Sequence, residues 1–321
     1  MPPCRSPIRL ALAVSAVALA IGLAGVADAH ATVIAVSFNS VTNFQFSVSN
    51  PSATFQPDTT TGADSAIFNV MGVSNTFTCG PSLPQTFCNP GGLAANVPQA
   101  TAGPGPFPAE DTYTTPPAGG FVGSRGDENI ANIFDASDGA NASGVAESRL
   151  AGVGTGIAEA REMIVGIVEF PSQSSAVFGF RFLATPFMQI SVDQSGDIAS
   201  ASMSLFVSLI NSAGDPVFLW IPDGVASPRN GVAAETDPFR LNNIVSLLGQ
   251  SGGDSFIFSP GQGTFSATSV ALPGDVYILT FGMTQTADAS STATAPEPGS
   301  LALLALGLVG LVAARRRRKL N

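Results

Sequence analysis

Apolar and polar residues alternate along most of the chain between its two ends. Phe44, Phe46 and Val48, for example, alternate with polar residues. A period of two is typical of a β-strand with one buried face. It recurs in segments 66–77, 141–150, 157–170, 176–183, 187–192, 198–210, 217–221, 256–258, 264–270 and 276–284. The pattern predicts an all-β fold, an antiparallel β-sandwich of jelly-roll type.

Three segments depart from this alternation. Residues 80–120 are rich in Gly, Pro and Asn, which predicts an irregular insertion or surface loop, or alternatively a boundary after an N-terminal subdomain. Residues 242–248 predict a helical turn. Residues 286–295 consist mostly of Ala, Ser, Thr and Asp, which predicts a flexible spacer. We therefore expect the folded ectodomain to span residues 30–285.

The N-terminus has the pattern of a secretory signal peptide. Arg5 and Arg9 precede the apolar stretch 10–27, which ends on Ala27-Asp28-Ala29. A basic start, an apolar stretch and small residues before the cleavage point predict removal of residues 1–29, before His30. Cleavage after Ala31 and retention of the segment as an anchor are the alternatives.

The C-terminus has the pattern of a single membrane helix. Residues 299–314 carry no charge and would form a helix about 24 Å long at about 1.5 Å per residue. Snorkelling of the first arginines and local thinning would fit it to a bilayer. Residues 315–319 are all basic, so this end is expected in the cytoplasm. A helix packed in a soluble core is the alternative.

The box Pro296-Glu297-Pro298, the apolar segment and the basic cluster resemble, in this order, the PEP-CTERM sorting signal of Gram-negative exported proteins. The resemblance covers residues 296–321. It implies that an exosortase recognises Pro296, Glu297 and Pro298 and removes the helix. It also implies export across the inner membrane, a transient inner-membrane anchor, and then a cell-surface or extracellular location. It implies no chemistry for the residues upstream.

The charge of the predicted exported body, residues 30–295, limits its partners. This body contains six arginines, no lysine and 21 acidic residues, a net charge of −15. Nucleic acid and anionic lipid are bound through Lys and Arg, so neither is an expected partner. A body this acidic is compatible with divalent cations and with neutral polysaccharide.

The sequence also limits catalysis. His30 is the only histidine and stands at the predicted mature terminus, so a Ser-His-Asp triad and a histidine zinc site are not expected. Paired carboxylates remain open, because a glycosidase needs only two of them. The candidates on predicted strands are Glu147, Glu159, Glu162 and Glu169. The alternation of buried and exposed positions predicts that most of these four side chains face solvent. We expect a protein that is not an enzyme.

Three further features carry weaker predictions. Cys79 and Cys88 are the two cysteines of the predicted exported body, and in an oxidising compartment we expect them to form a disulfide. This disulfide would contribute about 3 kcal/mol to the free energy of unfolding. Asp135, Asp138 and Asn141 place three oxygen-bearing side chains in one loop, where they would bind calcium or be solvated turn residues.

The single tryptophan, Trp220, would be either a sugar-stacking platform or a buried strand end. Together these features predict an exported, exosortase-sorted, non-enzymatic component of the cell surface or extracellular matrix, associated with exopolysaccharide. A calcium-assisted carbohydrate-binding module is the first alternative, and a carboxylate-dependent glycan hydrolase is the second. No cofactor other than calcium is expected.

Overall fold

The alternating segments form long antiparallel strands. A computed structural model describes residues 33–50, 52–70, 73–79, 95–114, 121–131, 140–171, 174–225, 230–250 and 253–292. Its strands are β1 Val33–Val48, β2 Thr54–Val70, β3 Val73–Cys79, β4 Ala95–Gly105, β5 Val122–Ala131, β6 Ala140–Leu150, β7 Gly154–Glu169, β8 Ser175–Ala176, β9 Phe178–Val192, β10 Ile198–Ile210, β11 Pro216–Trp220, β12 Val232–Thr236, β13 Asn243–Leu248, β14 Asp254–Phe258, β15 Gly263–Ser269, β16 Leu272–Pro273 and β17 Val276–Ser291.

Within the described residues, most of these strands belong to two sheets. The eight-stranded sheet has the order β4-β5-β6-β1-β9-β15-β12, with β14 also paired to β9. The seven-stranded sheet has the order β3-β2-β7-β17-β10-β11, with β13 also paired to β10. Each of two hydrophobic clusters contains buried residues from both sheets, so the sheets pack face to face. The prediction of an all-β antiparallel fold is confirmed, and the jelly-roll connectivity stays a prediction.

The space between the sheets contains two different cores. One is aromatic and joins both sheets, for instance through Phe44 and Phe281, whose ring centroids lie 5.1 Å apart. The other is built mainly from small side chains, which let the sheets approach closely. At Gly126 of β5 a Cβ atom would meet the backbone oxygen of Glu159 in the opposite sheet. The alanines of this second core are Ala35, Ala66, Ala100, Ala102, Ala146, Ala158, Ala199, Ala201, Ala287 and Ala289.

The last strand is longer than the sequence predicted. β17 continues to Ser291 and pairs with β7 as far as Gly154. Residues 286–291 therefore belong to the sheet, and their assignment to a spacer is wrong. Ala287 and Ala289 are buried, with Asp288 exposed between them. Alanines that alternate with Thr, Asp and Ser give a weaker apolar signal than large apolar residues do, so the sequence pattern does not indicate this part of the strand.

Two other segments differ from their predictions. Residues 243–248 form β13 and pair with β10, so the predicted helical turn is wrong, because pairing along the sheet edge determines this conformation. Within the predicted irregular insertion, residues 95–105 form β4, which pairs with β5. Residues 80–94 and 115–120 lie outside the described part of the chain.

Both predicted targeting segments, residues 1–29 and residues 296–321, also lie outside the described residues. Chain contacts group residues 31–293 into one compact unit. Among the residues that the structure describes, no helix is long and apolar enough to cross a membrane.

Candidate functional site

The outer face of the eight-stranded sheet carries a buried ion network, formed by Arg125, Asp127, Glu147 and Arg149. Arg125 and Glu147 are direct cross-strand neighbours on β5 and β6. Glu147 accepts hydrogen bonds from Arg125 Nε at 2.9 Å and from Arg149 Nη2 at 3.2 Å. Arg125 Nη1 also lies 3.6 Å from Asp127 Oδ2. The two positive charges of the arginines balance the two negative charges of the acids, and buried charges are tolerated when they are paired in this way.

The chain segment that follows β4 lies over this network. Tyr113 donates a hydrogen bond to Asp127 Oδ1 at 3.3 Å, and the backbone N–H of Asp111 donates to Asp127 Oδ2 at 3.1 Å. Burial raises the pKa of Asp127 to about 6, although Arg125 acts in the opposite direction. The Arg149 guanidinium lies 5.3 Å from the centre of the Phe121 ring. The network is thus enclosed by the chain itself.

A second buried polar cluster lies between the sheets. It separates the aromatic core from the second core, which we call the alanine core. We name this polar cluster the polar layer. Its members are Asn39 of β1, Asp64 of β2, Glu128 of β5, Glu162 of β7 and Gln285 of β17. Each of these side chains is at most 1% exposed. In the eight-stranded sheet, Asn39 and Glu128 both pair with Gly144 of β6.

The absence of a side chain at Gly144 gives the layer its space. A Cβ atom there would collide with Glu162 Oε1 and Gln285 Oε1 from the opposite sheet. Asn39 Nδ2 donates a hydrogen bond across the sheets to the Met283 sulfur at 3.3 Å. Among the residues that the structure describes, the carboxyl oxygens of Asp64, Glu128 and Glu162 have no hydrogen-bond partner.

Burial is the main reason why these three acids differ from ordinary carboxyl groups. Burial raises the pKa of Glu162 well above its usual value, and the charge of Asp64 adds to the shift. Burial and the charges of Glu162, Asp127 and Asp111 raise the pKa of Glu128. Burial and the charge of Glu128 likewise raise the pKa of Asp64, an effect that the nearby backbone N–H of Glu128 partly offsets.

The structure changes the picture of the four candidate glutamates. Glu169 is exposed and Glu159 is half-buried, whereas Glu147 is buried on the outer face of the eight-stranded sheet and Glu162 is buried between the sheets. The expectation that most of them face solvent is therefore wrong for Glu147 and Glu162. A signal for Glu162 was present, because it continues the inward phase of Ala158 and Ala160. No comparable signal exists for Asp64, which precedes the apolar part of its strand.

The predicted calcium and disulfide residues lie mostly outside the described residues. Asp135, Asp138 and Cys88 belong to that part, so both the calcium site and the Cys79–Cys88 disulfide stay predictions. Asn141 is described, and its side-chain oxygen accepts the backbone N–H of Asn43 at 2.9 Å. Within the described residues, no group of three or more His, Cys, Asp or Glu side chains is arranged to hold a metal ion.

Trp220 is a buried strand end. It is 1% exposed, and its ring centre lies 4.9 Å from that of Phe180 in the aromatic core. A sugar-stacking platform formed by its exposed face is therefore excluded. A pocket of about 220 Å³ lies beside it, and its polar lining residues are Asp223, Asn230 and Glu235.

Comparison with known proteins identifies the C-terminal segment. Residues 294–318 match the model of the PEP-CTERM protein-sorting motif. The chain carries a PEP-CTERM sorting motif. This motif marks an exported protein that an exosortase processes, with a transient membrane-anchored state before sorting. It includes Pro296, Glu297 and Pro298, which lie outside the described residues.

Other comparisons add nothing on the ectodomain. A search of curated proteins found no match. Among solved structures, the infectious bursal disease virus VP2 subviral particle is 11% identical over 90% of this chain and 75% of that one, with a TM-score of 0.12. The infectious bursal disease virus Gt strain is 12% identical over the same shares, with a TM-score of 0.11. TM-scores this low carry no argument about fold or function.

Proposed function

We propose that the protein is a non-enzymatic component of the cell surface or extracellular matrix, associated with exopolysaccharide. The observation that carries this proposal is the PEP-CTERM motif at residues 294–318. The exported part would be a rigid antiparallel β domain, cut from its membrane helix by an exosortase. The excess of acidic residues supports an association with neutral polysaccharide, since anionic partners would be repelled.

The position of the buried acids supports a structural role for the domain. A carboxylate-dependent glycosidase holds two carboxyl groups on either side of a substrate cleft. Glu147 is enclosed in the outer ion network, and Glu162 lies between the sheets. A glycan hydrolase therefore ranks last among the candidates. Release of sugar from the producer's own matrix by the purified protein would contradict this ranking.

The sorting part of the proposal is tested by the double variant Pro296→Ala, Pro298→Ala. Because exosortase processing needs the box, the variant should accumulate as a full-length membrane-bound form. Fractionation and immunoblotting measure this. The control is Pro260→Ala, an exposed proline of the ectodomain, which should be processed normally. Normal processing and location of the double variant would contradict the proposal.

A carbohydrate-binding module remains the second candidate, and the pocket beside Trp220 favours it. Two carboxyl groups and one amide line this pocket, and such groups hydrogen-bond sugar hydroxyls. Binding to the producer's polysaccharide that is lost in Asp223→Asn and Glu235→Gln, but kept in Glu169→Gln, would support this candidate. Loss of binding with a chelator would show that the carbohydrate binding requires calcium. Absence of binding in all conditions would contradict the carbohydrate-binding candidate.

A further inference from the structure

The polar layer holds three carboxyl groups where ionised carboxylates are costly. Asp64, Glu128 and Glu162 are at most 1% exposed, and their carboxyl oxygens have no hydrogen-bond partner within the described part of the chain. An isolated carboxylate loses its hydration on burial, and the usual response is to take up a proton. The arrangement of the layer therefore requires a compensating positive charge or protons.

Among the described residues, the charged groups found to act on the three acids of the layer are all acidic. Asp64 is affected by Glu128, and Glu128 in turn by Glu162, so the three acids form one interacting cluster. The guanidinium groups of Arg125 and Arg149 lie on the other face of the eight-stranded sheet and contact Glu147. The remaining titratable groups that act on the cluster or are affected by it are Glu110, Asp111, Asp127 and Tyr113.

Gln285 is directed into this cluster from β17. It is fully buried, and no described residue forms a hydrogen bond with its amide oxygen or its amide nitrogen. Its Oε1 and Glu162 Oε1 approach the same point above Gly144. Two acceptor oxygens in this position repel each other unless a proton or a cation lies between them, and a neutral carboxylic acid supplies the proton in its O–H group.

We propose that the polar layer is a proton-binding site, in which Asp64, Glu128 and Glu162 are neutral carboxylic acids at neutral pH and Glu162 donates a hydrogen bond to Gln285. The ligand is the proton and not a metal ion, because the described residues offer no set of three such side chains in a metal-binding arrangement. The folding of the domain is then coupled to pH, independently of its sorting.

The sign of this coupling follows from the direction of the pKa shifts. All three acids have a raised pKa in the folded state, so the folded protein keeps protons that the unfolded chain releases above about pH 4. Stability is fully present below the unfolded pKa and is lost as the pH rises through the folded pKa. Each proton lost on unfolding increases the unfolding constant about tenfold per pH unit.

Urea unfolding of the full-length protein in detergent between about pH 5 and pH 9 tests the proposal. The fluorescence of the single, buried Trp220 reports unfolding. Glu162→Gln keeps the shape but cannot ionise, so the pH dependence of its unfolding constant should fall by about one factor of ten per pH unit. Glu169→Gln, an exposed change on the same strand, should keep the dependence of the wild type. Equal dependence in all three proteins would overturn the proposal.

Infrared spectroscopy of the wild type gives a test that does not rely on folding of a variant. At neutral pH the C=O stretch of protonated carboxyl groups, which is separate from the bands of carboxylates, should be present and should disappear on unfolding. Absence of this band would overturn the proposal. Loss of the band on addition of calcium, with a higher unfolding midpoint, would also overturn it and assign the layer to a cation.

Discussion

At the scale of single residues, Glu147 is the acid on which two buried guanidinium groups depend. It accepts hydrogen bonds from Arg125 and Arg149, and none of these three side chains is more than 10% exposed. Removing one partner of a buried ion pair leaves the other charge uncompensated. The outer ion network should therefore be sensitive to neutralisation of Glu147, far more than a surface ion pair would be.

Neutralising this residue gives a direct prediction. Glu147→Gln should lower the free energy of unfolding by about 3 kcal/mol or more, because Arg149 loses its carboxylate partner and Arg125 keeps only the more distant carboxylate of Asp127. Urea titration followed by Trp220 fluorescence measures the loss. The exposed control Glu169→Gln should change the free energy by less than about 0.5 kcal/mol. Equally small losses in the two variants would show that the network does not stabilise the fold.

At the scale of the strands, β17 determines how far the folded domain extends. It pairs with β7 on one side and with β10 on the other, and both pairings include residues beyond 285. The small residues at the end of β17 pack into the alanine core. The end of this strand is therefore part of the hydrophobic interior.

A charged substitution at the end of β17 distinguishes a buried strand from a flexible spacer. Ala287→Asp would bury an unpaired carboxylate, so it should lower the free energy of unfolding by at least about 2 kcal/mol or prevent folding. Asp288→Asn changes the exposed neighbour and should be tolerated. The soluble yield and the urea midpoint of both variants measure the difference. Tolerance of Ala287→Asp would mean that residues 286–291 are a spacer after all.

The sequence predicted strands well where large apolar residues alternate with polar ones. The segment that carries Tyr277, Leu279 and Phe281 is an example, since all three are buried in the aromatic core. It failed where the buried residues are small, as at Ala287, because an alanine core gives little hydropathy contrast. It also failed at β13, whose conformation comes from pairing with a distant strand.

The candidate site was harder to predict for a similar reason. Strand alternation gives the phase of Glu162, but it does not give the strands that lie opposite. Glu162 and Gln285 meet above Gly144, although these positions are distant in sequence. The packing of the two sheets brings them together, and local pattern contains no information on that packing.

At the scale of the whole molecule, the protein combines a compact β domain with a C-terminal PEP-CTERM motif. The domain encloses its acids in two ways, by ion pairing on one face of a sheet and, as we propose, by protonation between the sheets. In the proposed function, its role outside the cell depends on separation from the membrane helix predicted at residues 299–314. Processing at the C-terminus is therefore the step on which the proposed function depends.

Intact-mass and C-terminal peptide analysis of the exported protein measures this processing. The mature chain should end within or shortly after the box Pro296-Glu297-Pro298 and lack the basic residues 315–319. In the same cells without exosortase activity, the chain should retain residues 315–319. An exported protein that retains residues 315–319 in the presence of exosortase would show that the motif is not processed.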